Sequence, residues 1–371
     1  MPRARPAGRR PSQVDVARRA GVSAGVVSAV INDRNYGSIR ISDATRERVR
    51  AAVRELGYVP NLAARNLARG SSRLIGVFTF EKLFPVAPRN FYHEFLVGIE
   101  EAADEAEYNL LLLTGARDEA NRRSIYANGV NGLQLADGAL FLGTHEKEDE
   151  IARLAAEDYP FVFVGRREFA GCEVSYVAAD YQGGVDDLVQ RVIGLGHRRI
   201  AMLIPGSGLE YQRPGRRTGF LEGTRAAGLP RSETPMYALT DFGASDLPPD
   251  PDATATTDLD TVVERVRAGD ITAVMVEVSD MVLAVQDRFR AAGLRVPEDV
   301  SVIGLHGGTT EVTPEGLTEL AVPRYQMGQE ATRMLLELLT DPTGAPLRRT
   351  LSCGEAGGTT LGPAPGDRNT N

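Results

Sequence analysis

Two cysteines, Cys172 and Cys353, are all that 371 residues contain, which gives neither a disulfide framework nor a zinc site and suits a reducing compartment. Histidine is nearly as scarce. His93, His145, His197 and His306 are the four present, and none stands in sequence beside a Ser or Cys that it could activate. His197, within LGHRRIA, reads as a residue that orders the turn before a strand. No GxGxxG joins a strand to a helix and no GxxxxGK[ST] is present, so the chain lacks the usual phosphate cradles. No apolar run approaches the ~18 residues that a membrane span requires. Catalysis on a nucleotide, metal-assisted hydrolysis and membrane insertion all lose their sequence basis, and no cofactor is expected.

Charge is divided unevenly along the chain. Residues 1–70 hold 14 Arg, no Lys and 5 acidic residues, a balance of +9 within a chain of net charge −8. A basic head on an acidic body argues that the head meets a polyanion while the body stays in solution. The first dozen residues, MPRARPAGRRPS, are basic with no apolar segment behind them, so a secretory signal is not expected. They form either a disordered arm or an arm that touches DNA phosphates.

What the head does contain is QVDVARRAGVSAGVVSAVIN, residues 13–32. Ser12 is placed to cap one helix, whose Val16, Ala17 and Ala20 share a face. Gly21 then allows a left-handed turn, Val22 fills the corner and Ser23 caps a second helix. Val27, Val30 and Ile31 face back, which leaves Ala24, Gly25, Ser28, Ala29 and Asn32 outward. This is the arrangement of a DNA-binding helix-turn-helix. After the polar loop DRNYGSIR, a third helix over ISDATRERVRAAVRELGY is capped by Ser42 or Asp43, carries Val49, Val53 and Leu56 inward, and stops at Gly57. The segment NLAARNLARG that follows Pro60 is too short for a stable isolated helix, for which ~12–15 residues is marginal. It is either a plain linker or a helix that forms on binding, with Arg65 and Arg69 beside Leu62 and Leu67.

The rest of the chain alternates short apolar runs with helical stretches. LIGVFTF, NLLLL, GALFLG, FVFVG, RIAMLIPG, AVMVEV and VSVIGL suit strands covered on both faces. Helices are predicted over 94–107, 147–157, 183–194, 215–227, 258–268, 280–292 and 326–339. Such alternation gives parallel sheets flanked by helices, and its extent suggests two sheets. The stretch after Leu338 shows no heptad and hence no coiled-coil tetramer.

VDVARRAGVS, VVSAVIN, TRERV, LGYVPN and LIGV, in this order, resemble the headpiece and hinge of the lactose-repressor (LacI) family of bacterial transcription regulators. FLVGIEEAADEAEYNLLLL, DGALFLGT, LGHRRIAMLIPG, RRTGFLEGTRAAGL and AGLRVPEDVSVIGLHG continue the resemblance over nearly the whole chain. It implies an all-α helix-turn-helix headpiece (1–60), a hinge (61–72) and an α/β periplasmic-binding-protein-like core (73–371) of two parallel-sheet lobes around a ligand cleft. Lobe 1 is expected at about 73–178 and 308–323, and lobe 2 at about 179–307 and 324–362. Crossovers are expected near 176–180, 306–311 and 321–325.

The same resemblance implies a homodimer on palindromic double-stranded DNA, controlled by a small-molecule effector such as a carbohydrate, without a membrane partner. It places Ala24, Gly25 and Ala29 where base edges are normally read, although reading guanine or adenine needs a long side chain. Ser23, Ser28 and Asn32 suit phosphates. The loop 33–40 is longer than the family's usual connection. Its Arg34, Tyr36 and Arg40 either take over the reading of bases or sit on a solvated insertion. Asn61 and Arg65 fall in the hinge, and Leu67 matches the leucine wedge that unstacks a central base step. Effector contacts are implied for Phe80, Arg216, Ser279, His306 and Arg324, with Val278, Ser279 and His306 replacing the usual Asn, Asp and Asp. Phe91 and Tyr92 either stack on a ligand or pack in the core. His306 is a pocket donor, a pH-sensitive group or a loop residue. A periplasmic solute receptor and a regulator whose cleft senses nothing are the competing readings; an enzyme is not expected.

Overall fold

The computed structural model describes residues 11–31, 41–59, 71–80, 91–115, 117–127, 129–143, 147–206, 214–242, 253–306, 316–341 and 344–366. The chain divides into two units, Met1–Arg73 and Leu74–Asn371. In the first, α1 (Gln13–Ala20), α2 (Ala24–Ile31) and α3 (Asp43–Leu56) surround Val16, Ala17, Ala20, Val27, Val30 and Val49. The local signals act as their chemistry requires. Ser12 Oγ accepts from Asp15 N at 3.3 Å while the Asp15 carboxylate accepts from Ser12 N at 2.9 Å, a capping box. Gly21 takes φ 65°, the left-handed conformation that turns α1 into α2. Ser23 Oγ then accepts from Val26 N at 3.3 Å, and Gly57 ends α3 at φ 59°.

The second unit begins with β1 (Leu74–Phe78), α4 (His93–Glu105), β2 (Asn109–Leu113), β3 (Gly138–Phe141), α5 (Glu148–Ala156), β4 (Phe161–Val164) and β5 (Ser175–Asp180). It continues through α6 (Tyr181–Gly194), β6 (Ile200–Pro205), α7 (Pro214–Ala226), β7 (Met236–Leu239), β8 (Ala255–Thr257), α8 (Leu259–Arg267), β9 (Ala273–Val276), α9 (Ser279–Ala291) and β10 (Ser301–Gly304). It ends with β11 (Thr318–Ala321), α10 (Arg324–Thr340), β12 (Arg348–Ser352) and β13 (Gly354–Ala356). Two sheets result, with strand orders β12-β5-β4-β3-β1-β2 and β13-β11-β10-β9-β6-β7-β8. Every pairing is parallel except β11 with β13. The central strands β3, β4, β6, β9 and β10 are buried at every position, as strands with helices on both faces must be.

The sheets correct the expected lobe boundaries. The passage near 306–311 does not change lobe, because β10 and β11 pair in the same sheet. The third crossing lies instead at Cys353, between β12 of the first sheet and β13 of the second. Strand β11 therefore belongs to the second lobe, and α10, which packs on α4, β3, β4 and β5, belongs to the first. The sequence reading exchanged the two because apolar periodicity marks a buried face without saying which sheet receives it. Six strands were also unmarked by an apolar run: β5, β7, β8, β11, β12 and β13. The stretch after Leu338 is thus no simple tail, since β12 and β13 complete one edge of each sheet.

His197 does order the turn before β6, and it is fully buried. Nδ1 lies 2.9 Å from Thr272 Oγ1 and Nε2 lies 3.0 Å from the Gly362 carbonyl. Burial pushes its pKa below the ordinary 6.5, so the unfolded chain binds this proton more readily than the folded one. The folded state should therefore lose stability as pH falls below about 6.5. A chemical-denaturation series from pH 7.5 to 5 should show that fall, and His197→Gln should flatten it. Identical slopes for both proteins would remove His197 as its source.

Candidate functional site

The first candidate surface is α2. Ser23 and Ala24 are exposed, and Gly25 and Ser28 are half-buried. Ala29 is not outward as expected: it is 9% exposed and belongs to the headpiece core, because one methyl does not clear its neighbours. No acidic or basic residue lies in the first or last turn of α2. Charge on the described headpiece comes from α1 and α3, where Arg19 pairs with Glu55 at 2.7 Å and Arg54 with Glu47 at 2.8 Å. Both pairs are exposed, and such pairs contribute ~0–1 kcal/mol, so they leave the arginines available to phosphates at little cost. Asn32, Arg34, Tyr36, Arg40, Asn61, Arg65 and Leu67 lie outside the described residues.

The second surface is the cleft between the sheets. The chain leaves β5, β11 and β12 at their carboxyl ends to change lobe, at Asp180–Tyr181, Val322–Pro323 and Cys353. The carboxyl edges of both sheets therefore face one another, and loops at those edges line the crevice where open α/β sheets bind ligands.

Four of the expected effector residues meet at this junction in a run of contacts. Arg216, on the first turn of α7, donates from Nε to the Leu305 carbonyl at 2.6 Å, and its guanidinium lies 3.9 Å over the Tyr181 ring. His306 follows Leu305, and its ring lies 5.4 Å from that of Phe91. Phe91 in turn lies beneath Arg324, 5.1 Å from the guanidinium. Arg324 pairs with Glu94 at 3.1 Å, and its own burial pulls its pKa below the usual arginine value. Tyr92 stands edge-on to Phe91 at 5.2 Å. Phe91 and Tyr92 thus pack against the core, and Phe91 also faces the cleft residue His306. Phe80 instead joins Phe78 and Phe141 in the aromatic cluster of the first lobe, at 5.0 and 6.4 Å. Ser279 begins α9, next to the carboxyl end of β9.

Other residues of the junction went unnoticed in the sequence. Arg217 grips Glu277 with two bonds, Nε to Oε1 at 3.0 Å and an Nη2 donor to Oε2 at 3.1 Å, and both residues are buried. Asp180 caps α6 by accepting from Gly183 N at 2.9 Å. Cys353 sits in the third crossing, where burial raises its thiol pKa to about 11. A general signal for all of them was position: each stands at, or packs onto, the carboxyl end of a strand. Among the described residues no group of His, Cys, Asp and Glu could hold a metal ion, and no helix is long and apolar enough to cross a membrane.

Comparison with known proteins gives two family matches. Residues 14–61 match the family described as bacterial regulatory proteins, lacI family, and residues 189–360 match a periplasmic binding protein-like domain. The HTH-type transcriptional regulator CelR of Thermobifida fusca is 36% identical over 349 residues, 92% of this chain and 96% of that protein. Catabolite control protein A of Priestia megaterium is 28% identical over 332 residues, 89% of this chain and 92% of its own. Among solved structures, a CelR–cellobiose complex covers 95% of this chain and all of that one at TM-score 0.54 and 29% identity. The lac repressor dimer bound to operator and the anti-inducer ONPF has TM-score 0.67 at 22% identity, covers 95% of this chain and 100% of that one, and shares the fold.

Proposed function

Because the chain belongs to the LacI family of bacterial regulatory proteins and is a DNA-binding transcription regulator rather than an enzyme, we propose that it represses its genes from the cytoplasm as a sugar-responsive homodimer, associated with the nucleoid while bound to its operator. Two headpieces on a two-fold axis suit a palindromic site. Since α2 presents Ser23, Ala24, Gly25 and Ser28 rather than long polar side chains, base reading falls to the 33–40 loop, through Arg34, Tyr36 and Arg40, while Ser23, Ser28 and Asn32 take phosphates. Asn61, Arg65 and Leu67 act at the hinge, with Leu67 as the wedge in the minor groove.

One observation carries the effector half of this reading: the run Arg216–His306–Phe91–Arg324 bridges the two lobes where the chain crosses between them. A ligand that engages this run favours one angle between the lobes and so biases whether the hinges meet, which is all that linkage requires. Aromatic faces at Phe91 and Tyr181 with adjacent polar donors suit a sugar ring, whose two faces are apolar and whose rim bears hydroxyls. Operator titrations by fluorescence anisotropy, with cellobiose and other disaccharides, test the reading. We expect a change of at least about fivefold in operator affinity, the lower end of typical coupling. Arg216→Ala should weaken sugar binding by about tenfold or more, as loss of a charged hydrogen bond does. If no sugar alters operator affinity, the effector half of the proposal fails while the DNA-binding half stands.

A further inference from the structure

The cleft carboxylates and cations are not matched one for one. Glu277 is held by Arg217, Glu94 by Arg324, and Asp180 by the first turn of α6. Farther along the first lobe, Lys147 bridges Asp118 at 2.8 Å and Glu150 at 3.1 Å. Two buried arginines are held differently. Arg216, 6% exposed, is tethered to the Leu305 carbonyl of the second lobe. Arg123, also 6% exposed, donates from an Nη atom to the Thr79 carbonyl of the first lobe at 3.3 Å. Thr79 directly follows β1 and Leu305 directly follows β10, so both guanidiniums sit on carboxyl edges, one on each side of the cleft. Neither pairs with a carboxylate among the described residues.

For Arg123 the charged group that acts on it is another cation, while the nearby Glu150 carboxylate is taken up by Ser124, Ile125 and Lys147. Arg117 and Arg123 form an antiparallel bridge in the segment between β2 and β3, and both burial and the neighbouring Arg117 lower the pKa of Arg123. A carbonyl tether alone does not account for a cation here, since a glutamine amide makes the same hydrogen bond without desolvating a charge. A buried guanidinium with one carbonyl partner keeps most of its fork of donors for something else. The planar fork fits a carboxylate or a phosphate through two parallel bonds.

We infer that the effector is anionic: a sugar-sized molecule whose carboxylate or phosphate is taken up by Arg123 of the first lobe and Arg216 of the second. The inference rests on the sugar-responsive reading and narrows it. An anion shared by arginines from both lobes relieves two desolvated charges at once and holds the cleft at a single angle.

Isothermal titration on the full-length protein, with two matched pairs of probes, tests this. One pair is cellobiose and cellobionate, which differ by a carboxylate; the other is glucose and glucose 6-phosphate. The charged member of at least one pair should bind about ten- to a hundredfold more tightly, the worth of a charge-assisted hydrogen bond, and the pair that shows it identifies carboxylate or phosphate. Arg123→Gln should erase that preference while Arg123→Lys keeps part of it, which separates lost charge from a misfolded loop. Raising salt should weaken only the charged probe. Equal or tighter binding of the neutral member in both pairs overturns the inference, as does an Arg123→Gln protein that loses both members alike. If neutral sugars bind and shift operator affinity, the charge assignment alone falls. If none of the four probes binds, the sugar-responsive reading falls with it.

Discussion

Glu277→Ala should destabilise the second unit by about 3–5 kcal/mol, the usual cost of removing one partner of a buried ion pair. The Glu277 side chain is 2% exposed and that of Arg217 11%. Removal of the carboxylate leaves a guanidinium with little water to replace it. The loss is larger than that for any of the exposed pairs, such as Arg166–Glu168 at 69% and 70% exposure, where solvent screens the attraction. Paired replacement by apolar residues of similar volume, Glu277→Leu with Arg217→Met, should recover most of the stability, because no charge is then stranded. Denaturant unfolding of the single and double variants gives the comparison. A single variant within about 1 kcal/mol of the parent would mean that water reaches Arg217.

The same substitution should reach the cleft. Glu277 directly follows β9, and Arg217 stands next to Arg216 on the first turn of α7. Without the two bonds from Arg217 to Glu277, that turn loses its tie to the end of β9, and Arg216 loses part of what fixes its approach to the Leu305 carbonyl and the Tyr181 face. Effector affinity should fall even though Glu277 is assigned no contact with the effector. The double variant should restore stability before it restores effector binding, since an apolar pair fills the volume without the two-bonded geometry.

How much of this was readable in advance depended on how local each signal was. The headpiece was legible because two caps, a left-handed glycine and a shared apolar face all act within twenty residues of one another. Strands such as FVFV and AVMV were legible because burial on both faces leaves a run of apolar residues. RRTLS and GEA were not, since at the edges of their sheets they bury little and show no such run. The exchange of β11 and α10 between lobes has the same origin: which sheet a strand joins is a long-range choice. At the cleft, the family resemblance supplied Arg216, His306 and Arg324 by position. Tyr181, Glu94, Glu277 and Arg123 became visible only through strand order, because each acts on a residue far away in the chain.

The second large effect belongs to the crossing of α4 and α10, which fixes where Phe91 and Arg324 meet. Gly98 and Gly328 face one another there. A Cβ built on Gly98 would be driven into the Tyr325 carbonyl, and one built on Gly328 into the Phe95 carbonyl. Neither obstacle is the flexible end of a side chain, so the helices must separate. Two opposing terms decide the sign. Glycine to alanine in a helix gains up to about 1 kcal/mol of propensity. Overpacking against backbone costs about 1–3 kcal/mol, occasionally more, and a carbonyl that does not yield puts this site at the upper end. Gly98→Ala and Gly328→Ala should therefore each lower the unfolding midpoint. Their combination should cost less than the sum, because the second methyl enters a gap that the first has opened. Helix separation also draws the start of α4 away from Arg324, which begins α10, so the Arg324–Glu94 pair and the Phe91 contact should loosen and effector affinity should drop alongside stability. If alanine at both positions raised the midpoint, helix propensity would be the stronger term, and the close crossing of α4 and α10 would have no part in fixing where Phe91 and Arg324 meet.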